Sequence, residues 1–171
     1  MLYILPPIHG ITPDIKQIQN EYSGIILDYE NGNIYEEAQR LSQLIEGEDN
    51  ILLGFSIGGL IALEIASLHT TKVKRVITVR SLTHPRHIPM RIRFYIQLLS
   101  AVPEYVFRVL YQKRHPTSNN LPSKELLTKR LGSVLRYIPE SFSETYWIEP
   151  LGVPSFGMRI SINDLYKNLL N

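Results

Sequence analysis

Apolar stretches of strand length recur along residues 1–80, each followed by a polar or glycine-containing turn. They lie at 2–5, 25–27, 51–53 and 73–79. Runs of this length that end at turn residues are typical of buried β-strands. Because both faces of each run are mainly apolar, both are expected to be covered, as in a parallel sheet between two layers of helices.

Helical patterns occupy the spaces between these strands. The first begins at Thr12-Pro13, where threonine suits the N-cap and proline suits the first helical position. The second starts at Ile34 and stops at Gly47, and the third, from 57 to 69, is densely apolar and is expected to be largely buried. This order predicts an α/β fold with a mostly parallel sheet of about five strands and helices on both faces.

The pattern changes after Ser81. Two helical stretches, near 88–112 and 123–137, follow each other without a strand between them. The chain is expected to return to the sheet at 153–162 and to continue in a short helix from Asp164. The two helical stretches therefore mark an insertion rather than a further strand and helix pair.

The predicted insertion covers residues 88–147 of a single domain that spans residues 1–171. It is rich in aromatic side chains, namely Phe94, Tyr95, Tyr105, Phe107, Tyr111, Tyr137, Phe142, Tyr146 and Trp147. Such a set suits a lid over an apolar acyl pocket, and it equally suits packing of the insertion against the core. A lid would favour an apolar or acyl substrate over a sugar or a nucleotide.

The composition is that of a soluble globular domain, because 44% of the residues are hydrophobic and 20% are charged. The formal net charge of +2 arises from Lys and Arg residues that are spread thinly, which argues against a nucleic-acid-binding surface. A local excess of basic residues from Lys72 to Arg93 leaves an anionic partner or a membrane surface as the alternative. No apolar run has the length of a transmembrane segment and the N-terminus lacks a signal-peptide pattern, so a cytoplasmic location is expected.

The chain contains no cysteine, which excludes disulfides, thiolate metal ligands and a cysteine nucleophile, and which fits a reducing compartment. Its five histidines are too scattered along the sequence to indicate a metal cluster. The sequence therefore implies neither a metal nor a cofactor.

The motif Gly54-Phe55-Ser56-Ile57-Gly58-Gly59 lies between a predicted strand and a predicted helix, the context of a G-x-S-x-G nucleophile elbow. Glycines on either side of Ser56 allow a sharp turn that projects the serine hydroxyl at the carboxyl edge of the sheet. The N–H of Ile57, at the positive end of the helix, is then the natural donor to an oxyanion. The alternative is a phosphate-binding glycine turn, but its usual G-x-G-x-x-G or Gly-Lys-Ser/Thr spacing is missing.

Residues 52–66 resemble the nucleophile elbow and following helix of the α/β-hydrolase superfamily, with thioesterase-like members nearest. The resemblance implies hydrolysis of an ester or thioester of a small-molecule acyl substrate, with Ser56 as the nucleophile. His9-Gly10, after the first strand, resembles the oxyanion loop of that superfamily. It implies a second oxyanion donor at the backbone N–H of Gly10 or Ile11.

A candidate for the catalytic acid comes from the same resemblance. Val153-Pro154, a strand and Asn163-Asp164 resemble the segment that presents the acid in the superfamily, which makes Asp164 the candidate. By local sequence, Asp164 is equally suited to cap the helix at 165–170. The chain departs from the superfamily pattern in two respects: it begins on what would be the third strand, and no histidine follows Asp164.

The catalytic base is left unassigned by these departures. His84 and His87 follow the fourth predicted strand, on the same edge of the sheet as the elbow, and are the candidates by position. His69, at the far end of the elbow helix, and His115, within the insertion, are not. Three explanations stay open: a fragment whose missing tail carries the base, a domain that uses another histidine, and a catalytically silent binding or scaffold domain. The oligomeric state stays open as well.

Overall fold

A computed structural model of the chain describes residues 1–8, 10–30, 33–82, 88, 90–114, 123–138 and 142–148. Within them, five strands form one sheet: β1 (Leu2–Leu5), β2 (Ile25–Ile26), β3 (Asn50–Phe55), β4 (Val73–Val79) and β5 (Thr145–Ile148). Their order is β2-β1-β3-β4-β5, and every neighbouring pair is parallel. The predicted parallel sheet is therefore confirmed.

Helices separate these strands along the chain. They are α1 (Pro13–Tyr22), α2 (Ile34–Ser42) and α3 (Ile57–Leu68) between the first four strands, and α4 (Met90–Ala101), α5 (Glu104–Arg114) and α6 (Lys124–Arg136) between β4 and β5. α1 has proline in its first turn, and α2 follows Asn33, whose side-chain oxygen accepts a hydrogen bond from the N–H of Tyr35. Local start signals thus account for where these helices begin.

The single helical stretch predicted near 88–112 is two helices, α4 and α5, with Val102-Pro103 between them. Proline has no backbone N–H, and it disfavours helical backbone in the residue before it, so α4 ends there. None of the described helices is long and apolar enough to span a membrane.

The two faces of the sheet are covered by different helices. Tyr3, Leu52 and Val76 lie side by side in register and belong to the core cluster that includes buried side chains of α2, α3 and α6. The next register row, Ile4, Leu53 and Ile77, belongs to the cluster that contains Ile15 and Ile18 of α1. Because successive strand side chains point to opposite faces, the sheet is a central layer with helices on both sides.

The chain returns to the sheet earlier than the sequence predicted. β5 overlaps the end of the segment expected to be an insertion, because its β-branched and aromatic side chains favour a strand. Its last residue, Ile148, lies beside Val79 of β4 and is fully buried. The strand expected at 153–162 and the helix expected from Asp164 lie outside the described residues.

Candidate active site

Ser56 is the single residue between the end of β3 and the start of α3, and its backbone is strained. Its φ of 54° and ψ of −116° lie in a region that non-glycine residues rarely occupy. Such a conformation costs of order 1–3 kcal/mol and persists only where neighbouring contacts impose it. The sharp turn that the glycine spacing predicted is therefore present at this junction.

Backbone contacts to the end of β4 hold the elbow in this conformation. The Ser56 N–H donates to the carbonyl oxygen of Val79 at 2.8 Å. The Ser56 carbonyl oxygen accepts from the hydroxyl of Ser81 at 2.8 Å and from the N–H of Gly59 at 3.1 Å. Ser81 is fully buried, and its hydroxyl therefore supports the elbow from the interior of the protein.

The glycines of the motif allow other backbone segments to approach the elbow closely. A Cβ atom on Gly58 would lie 2.6 Å from the carbonyl oxygen of Pro6 and would also contact that of Leu5. A Cβ atom on Gly59 would collide with the hydroxyl of Ser81. The end of β1 therefore runs directly against the first turn of α3, and the elbow packs without room for a methyl group.

The first turn of α3 offers donors beside the serine. Ile57 is the first residue of the helix, so its N–H has no acceptor within the helix. The Ser56 side chain makes no capping hydrogen bond to α3, and Ser56 is partly exposed. Across the described residues, the hydroxyl of Ser56 and the N–H of Ile57 are thus both left uncommitted at the positive end of a buried helix.

The loop after β1 lies next to this turn. The Gly10 N–H donates to the carbonyl oxygen of Pro7 at 2.9 Å, and Gly10 has a φ of 85°, which favours glycine. No hydrogen bond joins the N–H of Ile11 to any described residue, and Ile11 is 42% exposed. Of the two oxyanion donors expected from the sequence, Gly10 is engaged in a turn, whereas Ile11 is available.

The structure does not describe the remaining expected site residues. His84, His87 and Asp164 all lie outside the described residues. His69 follows the last residue of α3, at the opposite end of the helix from the elbow, where its ring nitrogen is 3.1 Å from the hydroxyl of Ser42. Among the described residues, no group of three or more His, Cys, Asp or Glu side chains is arranged to hold a metal ion.

Three residues that contact the elbow or the neighbouring loop were not found from the sequence: Ser81, Tyr29 and Arg130. Ser81 comes shortly after the end of β4, but a serine there carries no pattern of its own. Tyr29 donates its hydroxyl to the carbonyl oxygen of Pro6, and Arg130 reaches the same loop from α6. Since such contacts span up to 122 positions, no local motif marks them.

The comparisons with known proteins agree with this architecture. The family described as alpha/beta hydrolase fold matches residues 10–161 of the chain. A sequence comparison with curated proteins finds no significant match.

Three solved structures illustrate the likeness of fold. A lipase-esterase related protein from Clostridium acetobutylicum is 15% identical, with a TM-score of 0.57 over 86% of this chain and 73% of that one. An esterase from a marine microorganism is 14% identical, with a TM-score of 0.60 over 86% and 75%. The Vlm2 thioesterase domain, solved with a bound dodecadepsipeptide, is 14% identical, with a TM-score of 0.61 over 86% and 74%.

Proposed function

The chain belongs to the alpha/beta hydrolase fold family, and from this premise we propose that it is a serine hydrolase that cleaves an ester or thioester of an apolar acyl substrate. The observation that carries the proposal is the strained backbone of Ser56 between β3 and α3. A strained residue at a strand-to-helix junction exposes its side chain at the sheet edge, and a serine there is suited to nucleophilic attack.

The reaction follows from the groups around Ser56. Its hydroxyl oxygen attacks the carbonyl carbon of the substrate while its proton passes to a base. The carbonyl oxygen then carries a negative charge, for which the N–H groups of Ile57 and Ile11 are the proposed donors. The bond to the alcohol or thiol breaks as the leaving group takes up the proton. Water then attacks the acyl-serine, releases the acid and restores the hydroxyl.

Ile11 is preferred over Gly10 as the second donor because of the turn after β1. The N–H of Gly10 already donates to Pro7, and a donor used inside a turn cannot also serve an oxyanion without breaking that turn. The N–H of Ile11 makes no such bond to the described residues.

The catalytic base and the catalytic acid are proposed from their positions in the sequence. We assign the base to His84 or His87, which follow β4, and the acid to Asp164. A working base must lie within about 2.6–3.2 Å of the serine oxygen, directly or through one water. Substitution of each histidine by alanine tests the assignment, because the true base is the one whose loss abolishes turnover of a short acyl ester.

The acyl substrate is proposed from the relatives and from the insertion. Solved structures of this fold include the marine esterase and the Vlm2 thioesterase domain. Within the insertion, Phe107 and Tyr111 are buried, whereas Phe94 and Tyr105 are 65% and 72% exposed. We propose that α4 and α5 form a lid whose exposed aromatic side chains meet the apolar part of the substrate. The chemistry requires neither a metal nor a cofactor.

Labelling with a fluorophosphonate probe tests the nucleophile. We expect the full chain to be labelled at Ser56, and we expect Ser56→Ala to abolish the labelling. Ser67→Ala is the matched control, because Ser67 lies in the same helix that follows the elbow and its hydroxyl donates to the carbonyl oxygen of Glu64. Labelling that survives in Ser56→Ala would refute the assignment. Absence of labelling in the parent would favour a catalytically silent binding domain.

A further inference from the structure

Arg130 of α6 is a buried cation that reaches Ile8 and Tyr29 in the N-terminal part of the chain. It is only 8% exposed. Its Nη2 donates to the carbonyl oxygen of Tyr29 at 3.0 Å, and its Nη1 lies 3.4 Å from the carbonyl oxygen of Ile8. Its guanidinium carbon is 4.8 Å from the centre of the Tyr29 ring. A buried guanidinium is costly to desolvate, so its retention here calls for a role.

Tyr29 extends this contact to the start of the same loop. Its hydroxyl donates to the carbonyl oxygen of Pro6 at 2.9 Å, in a buried position. Burial raises the pKa of the Tyr29 phenol well above its ordinary value, although the Arg130 charge opposes that shift. The phenol therefore stays protonated and keeps donating to Pro6 throughout the neutral range.

Three consecutive carbonyl groups of the loop are consequently held by donors. Pro6 accepts from Tyr29, Pro7 accepts from the N–H of Gly10, and Ile8 accepts from Arg130. The orientation of each carbonyl fixes the plane of its peptide group. These contacts fix the loop from Pro6 to Ile8, and its start, at the carbonyl oxygens of Leu5 and Pro6, packs against Gly58 in the first turn of α3.

The helix that carries Arg130 is itself anchored to the core. The hydroxyl of Ser133 accepts from the N–H of Ile34 at 3.0 Å. The hydroxyl of Tyr137, just after the helix, donates to the Glu64 carboxylate at 2.9 Å. α6 is thus tied to α2 and α3, and it provides a fixed support for a side chain that reaches the loop.

We propose that Tyr29 and Arg130 are positioning residues that hold the loop after β1 so that the Ile11 N–H faces the oxyanion. This inference rests on the proposed function, since it assigns the two side chains to the oxyanion hole of that reaction. Neither touches the substrate. They act through Pro6 and Ile8, and they make α6 part of the catalytic support.

Hydrogen exchange of the Gly10 amide tests the holding role without any need for activity. We expect Tyr29→Phe and Arg130→Met to raise the Gly10 exchange rate about tenfold, since each removes one donor from the loop. The exchange rate of Leu53, in the central strand β3, should stay near that of the parent. Arg136→Met is the matched control, because Arg136 donates within α6 to the carbonyl oxygen of Gly132.

Kinetics on the full chain test the link to the oxyanion hole. We expect the rate of fluorophosphonate labelling, and kcat for a short acyl ester, to fall about tenfold to hundredfold in both variants. KM should change less than about twofold, because the donors act on the transition state rather than on the bound ester. Arg130→Lys should recover part of the lost rate, since it retains a cationic donor.

Each outcome decides a separate point. An unchanged Gly10 exchange rate in both variants would overturn the inference, and so would an equal rise at Gly10 and Leu53, which would indicate general destabilisation. A fall in kcat matched by an equal rise in KM would also overturn it. If the parent is not labelled at all, the proposed function fails, whereas a selective rise at Gly10 would still show that the two side chains hold the loop.

Discussion

Around Ser56, the described contacts are made mainly by backbone groups, with the Ser81 hydroxyl as an exception, whereas α5 and α6 are held in place by side chains. The elbow is set by the hydrogen bond from the Ser56 N–H to Val79 and by the close approach of the β1 end to Gly58. Helices α5 and α6 are held by Arg130, Ser133 and a cluster around Phe107. Backbone contacts of this kind tolerate no added atom, while side-chain contacts can be removed one at a time. The two regions should therefore respond to substitution in different ways.

Phe107→Ala, in the insertion, should cause the largest loss of stability. Phe107 is fully buried in α5 and packs with Tyr111 and Leu127. Truncation of a buried phenylalanine leaves a cavity and costs about 4 kcal/mol. Urea unfolding of the variant should show this loss, whereas Phe94→Ala, at a side chain that is 65% exposed, should change stability by less than about 0.5 kcal/mol. Similar values for both would mean that Phe107 is not packed against Leu127 of α6 as described.

Gly58→Ala and Gly132→Ala should change stability in opposite directions. The added methyl group at Gly58 meets the backbone oxygens of Leu5 and Pro6, which cannot move without shifting β1, and we expect a loss of about 3 kcal/mol. At Gly132, within α6, the nearest neighbour is the flexible Arg136 side chain at 3.9 Å, so alanine should add about 0.5–1 kcal/mol. Chemical denaturation of both variants checks the pair. Equal destabilisation would contradict the contrast between the two regions.

Ser81→Ala removes the hydroxyl that donates to the Ser56 carbonyl oxygen. Among the described residues, this oxygen then keeps the hydrogen bond from the Gly59 N–H. We expect a loss of about 1–2 kcal/mol in the free energy of unfolding, together with slower fluorophosphonate labelling. Ser67→Ala, whose hydroxyl bonds within its own helix, should leave the labelling rate unchanged. A normal labelling rate in Ser81→Ala would mean that the strained elbow does not depend on the hydrogen bond from the Ser81 hydroxyl.

Tyr29 should make stability depend on pH in alkali. Burial raises its pKa, so the folded chain keeps a phenolic proton that the unfolded chain loses above about pH 10. Its contribution is therefore complete below that pH and declines above it, by up to about 1.4 kcal/mol per pH unit. Tyr29→Phe should decline less steeply than the parent between about pH 10 and 11. Tyr105→Phe, at an exposed position of the insertion, should retain the slope of the parent.

Much of the fold and the elbow could be predicted from local sequence. Apolar runs set β1 and β4, and Pro13 in the first turn marks the start of α1, because each depends on neighbours within a few positions. The turn at Ser56 was predictable for the same reason, since the glycine spacing alone permits it. The position of β5 was less predictable, because Tyr146 and Trp147 suit a strand and a helical cluster equally well by composition.

Tertiary structure alone decided how the surroundings of Ser56 are held. The contact between Arg130 and the carbonyl oxygen of Tyr29 joins residues 101 positions apart, and the contact between Arg130 and the carbonyl oxygen of Ile8 joins residues 122 positions apart. No sequence pattern around a single tyrosine or arginine indicates which residue its side chain contacts. Only folding brings such side chains to a particular carbonyl group, because the contact is set by the packing of α6 against the core rather than by the residues beside it in the chain.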